Sequence, residues 1–188
     1  YTMNSLEKYL EHLDNIFQVE PEFYPEKSLS LTLYGVTSIV YRDIPEPGMI
    51  TGLTYGLSLA DYPGWKRSRP ELCVTVQSED GSWGRVAGFL ANQGRGKTAF
   101  CYGQTINFHT QIAADSEMDA FLVFAPSILQ KEDYLDIDIG ENYKINISGL
   151  FPIYSSELNV YDKIGLEAFW HHPSFDMYDV KRPRVTIE

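Results

Sequence analysis

The run Glu71-Leu-Cys-Val-Thr-Val-Gln77 constrains this chain more than any other stretch. Leu72, Val74 and Val76 alternate strictly with Glu71, Cys73, Thr75 and Gln77, and a period of two is that of a strand with one face in a core. Upstream, the stretch Met49–Leu59 sets Ile50, Leu53 and Leu57 among Thr, Tyr and Ser, residues that suit a pleated, half-buried surface. Between them lies Asp61-Tyr-Pro-Gly-Trp-Lys66, a turn cluster in which Pro63 presets φ and Gly64 tolerates either sign of it. The stretch therefore reads as two strands in the middle of a sheet, joined by a turn-rich insert.

The remaining segments must attach to that pair. Leu6, Tyr9, Leu10, Leu13 and Phe17 fall on one helical face, with Asn4 as N-cap and Glu7 in the capping-box position. An acidic, proline-bearing linker, Val19 to Glu26, ends that helix. Leu29, Leu31 and Leu33 alternate with Ser and Thr, which predicts a strand, and Val36 to Ile44 predicts another. Helical spacing returns over Ser82–Gly94, with Trp83, Val86, Ala87 and Leu90 as its stripe, Ser82 as N-cap and Gly94 as its stop. Phe100–Phe108 reads as extended, Met118–Ala125 as a strand, and Tyr134–Ile147 as a hairpin around Gly140-Glu-Asn. A last helix from Ser156 to Trp170, with Leu158, Tyr161, Ile164, Ala168 and Phe169 inward, stops at His171-His-Pro173. The polar tail packs only in part. This order predicts an α+β fold: a mixed, mostly antiparallel sheet with helices packed to one side, in a single domain over residues 1–188.

Composition narrows the function classes. At 188 residues the chain can bury a core without staples, and no apolar run nears the length that crosses a bilayer. The formal net charge of −11 disfavours nucleic acid and suits a basic protein partner. Lys66, Arg67 and Arg69 form the one short basic cluster. Cys73 and Cys101 lie far apart without a C-x-x-C pairing, so reduced thiols and a cytoplasmic setting are expected. Tyr1 rather than Met stands first, as expected where upstream residues have been removed or lie outside the sequence.

Several motifs tempt a chemical reading. Ala91-Asn-Gln-Gly-Arg-Gly-Lys-Thr98 matches a loose phosphate loop, but that chemistry needs a strand before the loop and a helix after it. Here a helix precedes and an extended segment follows. His171 and His172 are adjacent rather than four apart, and His12 and His109 are isolated, so no metal site is predicted. Glu132–Asp138 lacks the order of a calcium loop and reads as a solvated strand face. Asn146-Ile-Ser148 is a formal glycosylation sequon inside an expected strand. No Ser-His-Asp or Cys-His arrangement supports nucleophilic catalysis.

Taken in order, a set of segments resembles the suppressor of fused domain family. It comprises Val40-Tyr-Arg-Asp43, Thr54-Tyr-Gly-Leu-Ser58, Pro70-Glu-Leu-Cys73, Trp83 with its helix, and Phe100-Cys-Tyr-Gly-Gln-Thr-Ile106. Gly149-Leu-Phe-Pro-Ile-Tyr-Ser-Ser-Glu157, Gly165-Leu166 and Arg182 or Arg184 complete it, so the likeness spans nearly the whole chain. The resemblance implies an α+β protein-binding domain. Animal members hold Gli-type transcription factors with this domain and a second one, for which this chain has no room. In those members an acidic residue follows the glycine of the F-C-x-G segment and helps bind the partner. Gln104 stands there in this chain, which argues against that partner.

The resemblance further implies, through single-domain bacterial relatives, an immunity protein that docks on a polymorphic toxin, with a basic toxin domain as partner. The alternatives are an enzyme of unrecognised type with a site in a cleft beside the sheet, and a structural or regulatory part of a larger assembly. No cofactor is expected. The partner-binding residues expected are Tyr41, Arg42, Asp61, Trp65, Tyr102 and Gln104.

Overall fold

The computed structural model describes residues 2–187, so Tyr1, and the expectation attached to it, lies outside them. Seven strands form one sheet in the order β1-β2-β3-β4-β7-β6-β5. They are β1 (Glu22–Pro25), β2 (Thr37–Arg42), β3 (Met49–Tyr55), β4 (Ser68–Gln77), β5 (Thr105–Asn107), β6 (Ala120–Phe124) and β7 (Lys144–Ile153). Helices α1 (Ser5–Phe17), α2 (Ser82–Gly94), α3 (Lys131–Tyr134) and α4 (Leu158–Trp170) complete the fold, with 3₁₀ turns at Leu57–Leu59 and Ser155–Glu157. β4 and β7 run parallel and every other pair is antiparallel, giving the expected mixed sheet of an α+β fold. The predicted strand pair is β3 and β4, and β4 is the middle strand of the seven. None of the helices described is long and apolar enough to cross a membrane.

β4 is buried on both faces, not one. Leu72, Val74 and Val76 meet Trp83, Val86, Ala87 and Leu90 of α2. Cys73 turns to the other face, into a cluster with Tyr9 and Leu13 of α1 and Ile39, Tyr41 and Leu53 of β2 and β3. Further along that face, α4 covers Ala120, Leu122, Phe151 and Ile153. The helices thus lie on both faces of the sheet, which corrects the expected one-sided arrangement. The polar letters of β4 hid this second core. Thr75 shares a hydrogen bond with Thr51 at 2.9 Å, and burial pushes the Cys73 thiol up to about 12, leaving it an inert packing group. α2 sits unusually close to the sheet through glycine: a Cβ on Gly52 would lie 2.1 Å from the Gly84 carbonyl oxygen.

Five local expectations are corrected. Leu29–Leu33 forms no strand, because serine side chains satisfy its backbone. The Ser28 hydroxyl donates to the Leu33 carbonyl at 2.7 Å, and Ser30 Oγ accepts from the N–H groups of Thr32 and Leu33. The place beside β2 is taken instead by Glu22–Pro25, the segment read as a linker, which carries its proline at a sheet edge. The predicted hairpin reduces to one bridge between Ile137 and Ile145, with Tyr134 ending α3 and the second run opening β7. α4 breaks helical geometry at Gly165 (φ 82°, ψ 173°), so Phe169 is buried while Ala168 is exposed. The tail is better packed than its polarity suggests, with Val180, Arg182 and Val185 all buried.

Candidate functional site

The two motifs at the sheet centre turn out to be halves of one anchor. Glu71 is fully buried on β4, and its carboxylate accepts from the hydroxyls of Thr54 and Ser58 and from the N–H groups of Gly56, Leu57 and Ser58. Burial pushes its carboxyl above the ordinary value, opposed by those hydrogen bonds, Ser58 foremost. Five donors on one carboxylate fix the turn that follows β3 and so set where the Asp61–Arg67 insert begins.

That insert makes one wall of a cleft of about 260 Å³. Trp65 Nε1 donates to the Ala99 carbonyl at 2.9 Å, and its ring packs on Tyr62 with centroids 5.4 Å apart. Arg69 donates to the carbonyls of Ser58 and Ala60, pairs with the exposed Asp61, and lies 4.2 Å from the centre of the Tyr143 ring. The facing wall is the Phe100–Gln104 turn. Gln104 closes it, its side-chain oxygen accepting from the Cys101 N–H at 3.3 Å, while the Tyr161 hydroxyl holds the Gly103 carbonyl at 2.6 Å. Tyr102 stays half-exposed against Phe124, and burial pushes its phenol up. Asn146 and Ser148 of β7 line the floor.

The structure therefore brings Asp61, Trp65, Tyr102 and Gln104 to one end of the sheet. Tyr41 and Arg42 do not join them. Tyr41 is buried beneath α1 with its ring 4.3 Å from that of Phe17, and burial raises its phenol far above the ordinary value. Arg42 lies at the opposite end of the strands, where its Nε donates to Glu22 at 2.7 Å. Both were expected at the binding face; the first is core and the second is an exposed cross-strand pair.

The chemistry available in the cleft is recognition by aromatic surface, guanidinium and amide. Among the described residues, no three His, Cys, Asp or Glu side chains come together as a metal-binding group. Residues 91–94 of the phosphate-loop match form the last turn of α2, so the segment closes a helix instead of opening one. A second buried carboxylate, Glu157, went unforeseen. It accepts from both terminal nitrogens of Arg182, at 2.7 and 2.8 Å, and from the N–H groups of Tyr154 and Val185. For Glu71 the signal was present, a charge inside an apolar run. For Arg182 spacing gave none, and only the family resemblance, which includes Glu157 and Arg182 or Arg184, singled it out.

The family described as Suppressor of fused protein (SUFU) matches residues 33–183. Comparison with curated proteins finds no match. Among solved structures, a protein described as a suppressor of fused homologue from Neisseria gonorrhoeae superposes with a TM-score of 0.73 at 16% identity, over 96% of either chain. Drosophila Suppressor of Fused gives 0.67 at 13% identity over 94% of this chain, which spans 48% of that one. A chain of the Sufu–Fu complex gives 0.60 at 12% identity, covering 93% of this chain and 85% of that one. At these identities the structural likeness is one of fold.

Proposed function

The chain belongs to the suppressor of fused family, and from that membership we propose that it is a non-catalytic protein-binding domain acting as one unit over residues 1–188. One observation carries the reading: Trp65 and Tyr102 line a single cleft from two loops with Arg69 between them, Asp61 pairing with that arginine and Gln104 closing the turn that bears Tyr102. Aromatic residues with an arginine between them are the side chains that dominate binding energy at protein interfaces. A relative's appearance in the Sufu–Fu complex supports a protein as the partner class. Both deeply buried carboxylates are committed to internal hydrogen bonds, which leaves them no role as acid or base.

The finer reading is a bacterial, cytoplasmic immunity protein that neutralises a polymorphic toxin. A net charge of −11 would speed encounter with a basic toxin domain and weaken as salt rises. Calorimetric titration of the full chain against the C-terminal domain of a toxin encoded beside its gene tests this. The expected results are saturable binding, protection of cells producing the toxin, and at least tenfold weaker binding for Trp65→Ala and Tyr102→Ala. Absence of both binding and protection would overturn the immunity reading.

A further inference from the structure

The apolar face of α1 is wider than the sheet it covers. Tyr9 and Leu13 are buried, whereas Leu6 is exposed and Leu10, one turn on, is only half-buried. Those two leucines form one wall of a groove of about 630 Å³, and Phe23, Tyr34, Ile39 and Tyr55 form much of the rest. The leucines of the strand that did not form lie in the chain between two of its lining residues, Phe23 and Tyr34. Leu29, Leu31 and Tyr34 are 67%, 105% and 87% exposed, within eleven residues of Phe23 at 51%. Concentrated apolar exposure of this kind marks an interaction site more often than scattered surface leucines do.

The segment bearing these side chains is held in place. Arg95 donates to the carbonyls of Tyr34 and Gly56 and to the Ser28 hydroxyl, and Asn92 donates to the Lys27 carbonyl. At Gly35 a Cβ would sit 1.9 Å from the Glu26 carbonyl oxygen, so the close return of the chain requires glycine. A surface already ordered before binding loses less entropy when a partner arrives.

Charge identifies the occupant. The groove continues past Leu10 and Phe23 along the same flank of α1, into a hollow lined by Asp14, Gln18 and Glu20. Among the described residues, no Lys, Arg or His lines either half. Glu22, next along β1, is already paired with Arg42 and is not counted. One end of the groove is apolar and the other is acidic and uncompensated.

We propose that this groove docks an amphipathic segment of a partner protein, its large apolar side chains beside Leu6 and Leu10 and its following Lys or Arg residues against Asp14 and Glu20. It would be a second contact surface, separate from the Trp65 cleft, and an apolar helix face seated in a groove is a recurrent mode of peptide recognition. A second copy of this chain fits less well, because its own net charge of −11 opposes association.

Selection of a random displayed peptide library on the full chain tests the assignment, followed by fluorescence polarisation with the enriched peptides. The expected sequences carry two or three large apolar residues followed by basic ones. Leu6→Glu, at an exposed position, is expected to weaken them at least tenfold without altering the circular dichroism spectrum. Asp14→Lys with Glu20→Lys is expected to reverse the preference, so that peptides with the lysines changed to glutamate bind better. Overturning results are no enrichment, enriched peptides without basic residues, or binding indifferent to Leu6→Glu. Sedimentation showing a dimer dispersed by Leu6→Glu would also overturn it, assigning the groove to a second copy.

Discussion

Among the described residues two glutamates lie wholly inside this protein, and they are stabilised in opposite ways. Glu71 has no cationic partner; neutral donors from residues 54–58 surround it, all within seventeen positions in the chain. Glu157 faces a guanidinium 25 residues away, with backbone N–H groups completing its shell. The first ties a turn to the strand beside it and so positions the insert of the cleft. The second ties the C-terminal tail to the end of β7. A carboxylate ringed by dipoles can be neutralised by a proton with little consequence, whereas removing one half of a buried ion pair strands a charge in low dielectric.

Breaking the pair should therefore have the largest effect. Arg182→Met is expected to cost about 3–5 kcal/mol in urea unfolding, a large share of a domain's usual ~5–15 kcal/mol. Adding Glu157→Gln should restore about half of that loss, because the stranded charge goes with it. If the single and double variants unfold alike, the guanidinium acts through packing against Tyr154 and Phe175 and the contrast with Glu71 fails.

Glu71→Gln should cost less, about 1–3 kcal/mol, since the amide keeps the shape but turns a donor toward N–H groups that need an acceptor. Its pH dependence is distinctive. Burial holds the Glu71 carboxyl above its ordinary value of 4.5, so the folded chain binds that proton more tightly than the unfolded chain does. Its contribution to stability is complete below the unfolded value and fades as pH rises through the folded one. Unfolding curves across the acid range should therefore show a smaller penalty for Glu71→Gln as pH rises. A penalty that grows with pH would mean the donors outweigh burial.

Asp61→Ala comes last. Its pair with Arg69 is on the surface, where ion pairs are weak, and Arg69 keeps the Ser58 and Ala60 carbonyls. The unfolding midpoint should stay within error in a thermal melt, while affinity for a partner at the cleft falls. A clear loss of stability would show that the turn held by Glu71 depends on this surface pair as well.

The regular elements were legible where one face of a segment meets one core. α2 spans the stretch its stripe predicted, with Gly81 and Arg95 rather than Ser82 and Gly94 at its caps, and β3 with β4 forms the pair that spacing required. Legibility failed where polar letters are buried or apolar ones exposed. Thr75 and Glu71 read as solvent-facing yet lie under a second core layer, and Leu29 and Leu31 read as a strand yet stand in solvent. Of the expected site residues, Trp65 and Tyr102 line one cleft, and Asp61 and Gln104 stand beside it through Arg69 and Cys101. Tyr41 lies in the core because a strand's sequence does not tell which face α1 will cover, and Arg42 lies at the other end of β2, exposed and paired with Glu22.

By itself, then, the sequence determined the periodic elements, the central strand pair and the family, all of which rest on short-range spacing and ordered motifs. Tertiary structure decided that the sheet has two cores, that Thr54–Ser58 closes around Glu71, that Arg182 returns to Glu157, and that α1 leaves a groove beside β1. The physical reason is common to all four. Periodicity records that a side chain is to be buried or exposed, while the identity of what buries it depends on segments brought together only by the folded chain.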